Sequence, residues 1–162
     1  MPITMNRSGL EDLEKSLQQI GDGADRIASA GLYDGAGIMA DAVKAEVKNI
    51  QTEKFHYAVF PGATTRLPSP EEKEIVEQAA AGIARFRKTG SEVNTSVGFR
   101  NAGYATLNGR TVPIPKIVNA INSGTSFMKK QPFIRKAATS GTAKATAAIK
   151  DNIEKKLSEI IK

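Results

Sequence analysis

Three groupings in this sequence have residue types suited to chemistry, and each lacks a condition that the chemistry requires. Gly35-Ala36-Gly37-Ile38-Met39-Ala40 matches the G-x-G-x-x-A pattern of dinucleotide binders. That pattern works only after a buried strand, where a tight turn aims a helix N-terminus at the pyrophosphate. The preceding Ala24–Tyr33 is polar, alanine-rich and helical in character, so nucleotide binding is not expected. His56, the one histidine, sits in Phe55-His56-Tyr57 with no G-x-S-x-G elsewhere to supply a positioned nucleophile. Zinc needs several His or Cys ligands, and cysteine is absent. His56 therefore reads as a partly buried loop anchor. Glu71, Glu72, Glu74 and Glu77 imitate a carboxylate site, but acids belong in the first turn of a helix because they offset its dipole. No catalytic residue, cofactor or metal site is expected, and the chain does not read as an enzyme.

Charge offers a better candidate for binding. Residues 1–84 carry 8 Lys/Arg against 13 Asp/Glu, a net of −5, while residues 85–136 carry 10 against Glu92 alone, a net of +9. Residues 137–162 add +2, and the whole chain stands at +6. An acidic N-terminal half and a basic centre on opposite faces would suit head-to-tail self-association, or a ring whose basic side faces nucleic acid. Arg85, Arg87, Lys88, Arg100, Arg110, Lys129, Lys130, Arg135 and Lys136 are the residues that could contact DNA phosphates or an acidic partner. Phe86, Phe99 and Tyr104 interleave sparsely among them and read as core. No helix-turn-helix or RNA-binding signature accompanies them.

The elements that must position these residues follow from periodicity. Ser8-Gly9-Leu10-Glu11 reads as a capping box, and Leu10, Leu13, Leu17 and Ile20 recur at helical spacing before Gly21, a plausible C-cap. A second helix starts near Asp34, or earlier through Ile27 against the low helix propensity of Gly31, Gly35 and Gly37, with Ala36, Met39, Ala40, Val43, Val47 and Ile50 on one face. Its many small residues suit close packing on another helix or subunit. Residues 51–69, with Pro61-Gly62 and Pro68, read as a loop. Ser69-Pro70-Glu71-Glu72 is another capping box, opening a helix that uses Ile75, Val76, Ala79, Ala80 and Ile83 and ends near Arg87.

From Glu92 the period becomes two. Val93, Thr95, Val97 and Phe99 alternate with polar residues, and Tyr104–Leu107 and Arg110–Ile114 flank the hairpin signal Asn108-Gly109. The expectation is a three-stranded antiparallel β-meander, ended by Pro113 and Pro115. Residues 117–121 suit either a short helix or a strand, closed by Ser123-Gly124. A helix of roughly 45 Å follows from Pro132, with Gly141 able to bend it. The fold class is α+β in a single domain, residues 1–162, a small meander packed against N-terminal helices and a long C-terminal helix.

At 162 residues one core is the expected number. No apolar run approaches the roughly 18 residues of a membrane span, and no basic stretch followed by an apolar one suggests a secretory leader. Synthesis in the cytoplasm fits.

One pattern is more specific. Ile121-Asn122-Ser123-Gly124-Thr125-Ser126 is followed, after a short gap, by Gln131-Pro132-Phe133-Ile134-Arg135-Lys136-Ala137. A glycine-threonine turn leading to a proline-phenylalanine helix start resembles the tail-component family of long-tailed, lambda-like bacteriophages and prophages, the tail completion, neck or minor tail protein Z-like proteins. Thr89-Gly90 ahead of the 93–99 strand, and the order of elements, are similar as well. Two features depart from the family: Asn122 stands where it often has glutamate, and residues 53–88 look like an inserted loop and helix. The resemblance implies a non-enzymatic α+β subunit, built in the host cytoplasm, that assembles with copies of itself into a ring at the head–tail junction of the virion. It implies head-closure and tail-tube or tail-terminator proteins as neighbours, passing DNA as a non-specific contact, and no membrane or small-molecule substrate. Gly124, Thr125, Pro132 and Phe133 carry the resemblance and read physically as fold determinants: a turn, a backbone hydrogen bond, a preset helix start and an aromatic anchor. The other function the residues allow is a small basic DNA-binding module.

Overall fold

The computed structural model describes residues 8–53, 65–79, 81–90, 92–99 and 102–161. The expected loop anchor His56, the Pro61-Gly62 turn, Ala80 and the basic candidate Arg100 lie outside the described residues, as do the side chains of the Ser8–Glu11 capping box. The protein is α+β, and the described residues form two long helices, two short ones and three small antiparallel strand pairs.

Helix α1 spans Ser8–Lys48 and α4 spans Phe133–Ile161. They pack antiparallel: Gly31 faces Ile153, Gly35 faces Ile149, and Gly141 faces Met39 and Ala42. A Cβ on Gly35 would lie 2.6 Å from two carbons of Ile149, so its missing side chain is what lets the helices meet. Of the two glycines that imitate a nucleotide motif, Gly35 is therefore part of a helix-packing surface, while Gly37 has nothing within 4 Å of an added Cβ. Asn152 Nδ2 donates to Asp34 Oδ2 at 2.6 Å across the same seam.

The expectation of two N-terminal helices is corrected to one, and Gly21 does not cap. Glycines in a helix cost about 1 kcal/mol each. Once the stretch from Ile27 is packed on α4, however, the helix extends outward through cooperative addition of hydrogen bonds. Gly141 likewise does not interrupt α4; it is buried against α1.

Helix α2, Pro70–Gln78, has the expected capping box in full: Ser69 Oγ accepts from the Glu72 N–H at 3.1 Å, and Glu72 Oε2 accepts from the Ser69 N–H at 2.7 Å. It stops at Gln78 rather than near Arg87. Residues beyond it pair instead: β1 (Gly82–Ile83) with β4 (Val97–Gly98), and β2 (Arg87–Thr89) with β3 (Glu92–Asn94). The third pair, β5 (Tyr104–Leu107) with β6 (Arg110–Pro113), turns at Asn108 and Gly109 with φ of 50° and 73°, the left-handed pair that a two-residue hairpin demands.

The strands thus form three separate two-stranded ladders rather than one meander. The expected 93–99 strand breaks at Thr95-Ser96, where Thr95 Oγ1 donates to the Ala84 carbonyl at 2.7 Å and the Ala84 N–H donates to the Ser96 carbonyl at 2.8 Å. Its second half takes its partner from residues upstream of the first.

Residues 114–123 are a helix, α3 (Ile114–Ser123), with Pro115 in its first turn, where no N–H is needed. Ile114, Ile117, Val118 and Ile121 are buried on one side of it. The core gathers around them: Val43 and Val47 from the end of α1, Ile50 just beyond it, Val76 from α2, Phe99, Met128, and Phe133 and Ala137 from the start of α4. It sits at one end of the α1–α4 pair, and residues 65–79 belong to it through Pro68 and Val76.

Candidate functional site

The chain between α3 and α4 reverses direction in nine residues, 124–132, and every turn of it is fixed by a specific contact. Gly124 ends α3 with φ 77° and ψ 168°, a conformation essentially reserved for glycine, and its N–H donates to the Ala120 carbonyl at 3.0 Å. Space imposes the same choice, since a Cβ here would lie 3.0–3.2 Å from the Cβ, N and Cα of Lys130. Thr125 then closes a four-residue turn. Its N–H donates to the Met128 carbonyl at 3.0 Å, and its Oγ1 accepts from the N–H of Met128 at 3.0 Å and, more weakly, of Phe127 at 3.3 Å.

Pro132 precedes the first residue of α4, and its carbonyl accepts the first helical bond, from the Lys136 N–H at 3.1 Å. Proline has no side-chain acceptor for the free N–H groups of the first turn. Asn122 of α3 supplies one, its Oδ1 accepting from the Ile134 N–H at 3.1 Å. Phe133 is buried and meets Phe99 edge-on, ring centres 6.3 Å apart at 75°, which pins the start of α4 to the chain just beyond β4. All four motif residues, with Asn122, thus act together on one structure, the α3–α4 reversal.

Gln131, which opens the proline-phenylalanine pattern without a role assigned to it there, and Arg66 hold this reversal to the rest of the molecule. Gln131 makes a two-way bond with the backbone of Gln51: its Oε1 accepts from the Gln51 N–H at 2.9 Å and its Nε2 donates to the Gln51 carbonyl at 2.7 Å. Arg66 brackets Met128, donating its N–H to the Phe127 carbonyl at 2.9 Å and accepting from the Lys129 N–H at 2.7 Å. The Arg66 guanidinium then forks onto Glu72 at 2.6 and 2.7 Å. Burial pushes the Glu72 carboxyl up, but the bonds from Arg66 and Ser69 outweigh it and hold the group below its ordinary value. Glu72 in turn raises Arg66. An arginine in a polar loop gives no local signal of this, because its partner is recognisable only once α2 is in place.

The basic candidates do not converge. Arg85, Arg87 and Lys88 belong to the β1–β2 stretch that lies along α1, where Lys88 pairs with Asp25. Arg110 is exposed on the β5–β6 hairpin. Lys129, Lys130, Arg135 and Lys136 are exposed around the start of α4, at the end of α1 marked by Gln51. From Asp25 to Lys48 is roughly 35 Å of helix, so at least two basic regions stand far apart. The acidic half and basic centre are accordingly not on opposite faces: part of the basic segment folds back onto an acid of α1. Among the described residues, no three His, Cys, Asp or Glu side chains cluster as metal ligands would, and no helix is long and apolar enough to cross a membrane.

Comparison with known proteins finds no family model, no curated protein and no solved structure that matches the chain.

Proposed function

We propose that this chain is a structural subunit of a tailed bacteriophage or prophage virion, joining copies of itself in a ring at the head–tail junction as a tail completion or neck component. The observation that carries the reading is the α3–α4 reversal. The residues on which the resemblance rests, Gly124, Thr125, Pro132 and Phe133, are the ones that build it. Asn122, which stands where the family often has glutamate, keeps an oxygen acceptor for the first turn of α4.

The role is assembly, with head-closure and tail-tube or tail-terminator proteins as neighbours, and it calls for no catalytic residue, cofactor or small molecule. The basic end around Lys129, Lys130, Arg135 and Lys136 would face passing DNA or an acidic neighbour. Separation of the basic residues into distant groups favours this over a single DNA-reading face, which needs its phosphate contacts on one surface.

Light scattering and negative-stain microscopy of the purified full-length chain test the proposal, and closed rings are the expected result. A monomer or dimer that binds duplex DNA, with affinity falling steeply as salt rises, would overturn it in favour of a DNA-binding module.

A further inference from the structure

Helix α1 is longer than the helix it packs on. The antiparallel register that sets Gly31 against Ile153 and Gly35 against Ile149 brings α4 to its end level with Gly23. Residues 8–22 continue as helix past that point for roughly 20 Å. The seam that faces α4 does not stop there. Gly35, Gly31, Ile27, Ala24, Ile20 and Leu17 follow one another at steps of four and three residues, and the sequence carries the same steps on to Leu13 and Leu10. Steps of this kind keep apolar positions on the side a partner helix covers. Ile27 and both glycines are buried under α4, whereas Leu17 is 59% exposed. A helix-packing surface therefore extends beyond its partner within the chain.

Charge selects what covers it. Residues 8–22 hold Glu11, Asp12, Glu14 and Asp22 against Lys15, a net of −3, so two such segments laid on each other would repel. The opposite end of the molecule is complementary. Lys129, Lys130, Arg135 and Lys136 are exposed there, and no ion pair among the described residues engages them. Apolar surface accompanies the charge: Phe127 is 53% exposed, and Pro132 and Thr139 help line a mostly apolar depression of about 380 Å³ beside Arg135 and Lys136, with Glu46 the one acid on its rim.

We infer that the projecting turns of α1 dock head to tail on the α4-start end of a second copy, an acidic amphipathic helix against a basic, partly apolar surface. Such a contact joins two different patches, and repeated it closes into a ring when its rotation allows. The inference deepens the self-assembly reading and rests on it: it names the two surfaces that meet.

Charge exchange in the full-length chain tests it. E14K/D22K reverses the helix and K129E/K130E reverses its receiving surface; light scattering across a concentration series reads assembly, and circular dichroism melts verify folding. Each variant alone is expected to weaken association roughly 100-fold or more. The two mixed, or combined in one chain, are expected to recover it. Were the wild-type chain to stay monomeric at every concentration, self-assembly itself would fail and this inference with it. Wild-type assembly with both variants assembling equally well would overturn only the surfaces named here. Loss without recovery on mixing would likewise overturn the pairing.

Discussion

Gly124→Ala is the sharpest single test of the α3–α4 reversal. Two separate costs meet at this position. The backbone at φ 77°, ψ 168° lies where an L side chain is strained by about 1–3 kcal/mol. The new methyl would also press on the Cβ, N and Cα of Lys130 at 3.0–3.2 Å, and two of these are backbone atoms that move only if the reversal moves. Such overpacking costs about 1–3 kcal/mol and restricting the unfolded chain returns about 0.4–1 kcal/mol, so with the strain the central expectation is a net loss of about 2–4 kcal/mol. For a chain of this size that corresponds to a fall in Tm of roughly 4–16 °C. Calorimetry measures it, and Gly37→Ala is the matched control. Gly37 sits mid-helix in α1 with nothing within 4 Å of an added Cβ, so alanine should stabilise there by about 0.5–1 kcal/mol. If Gly124→Ala melted like the wild type, the strained turn would not be a determinant of the fold.

Other predictions follow from the same contacts. Glu72→Gln should cost about 1.5–3 kcal/mol at pH 7 by breaking the charge-assisted fork to Arg66. Because the folded protein holds the Glu72 carboxyl below its ordinary value, this contribution is complete above roughly pH 5 and is lost as pH falls through the folded value. Urea titrations should therefore give a wild-type advantage that shrinks below about pH 4, and a gap that does not change with pH would contradict the assignment. Gly35→Ala should destabilise by about 1–3 kcal/mol despite alanine's better helix propensity, because the methyl meets Ile149 at 2.6 Å; thermal melts that rise instead would place α4 elsewhere. Asn122→Ala should cost about 1 kcal/mol through the lost cap on α4, and Asn122→Asp should keep most of it, since either oxygen can accept from Ile134.

What the sequence made legible was local. The Ser69–Glu72 capping box, the Asn108-Gly109 hairpin and the start of α4 each depend on residues within four positions of one another, and each stands where the pattern puts it. The single helix α1 was hidden because Gly21, Gly23, Gly31 and Gly35 argue locally against it. Its continuity depends on Ile149 and Ile153, more than a hundred residues away. The pairing of Gly82-Ile83 with Val97-Gly98 was hidden for a related reason: Ile83 fits the helical spacing of Ile75 and Val76 until a strand partner competes for it. The site divides the same way. Gly124, Thr125, Pro132 and Phe133 announce a turn and a helix start through their own chemistry. Gln131 and Arg66 are ordinary polar residues whose importance comes from Gln51, 80 positions away, and from a carboxylate on another element.

Charge blocks in the sequence take on a direction only after folding. Read along the chain, residues 85–136 are one basic segment, which suggests one basic surface. In the folded molecule the Lys88 ammonium is spent on Asp25, so part of that segment offsets the acidity of α1 instead of opposing it across the molecule. Lys129, Lys130, Arg135 and Lys136 are exposed around the start of α4 beside the last turn of α1, with no ion pair among the described residues, while in the sequence the projecting first turns of α1 carry Glu11, Asp12, Glu14 and Asp22 against Lys15. A rigid helix of roughly 60 Å holds these ends apart, so the acidic end cannot reach the basic end of its own molecule. It can reach that of a neighbour. The polarity on which the proposed association between copies relies thus follows from the length of α1 and from the strand pairs that fold back along it.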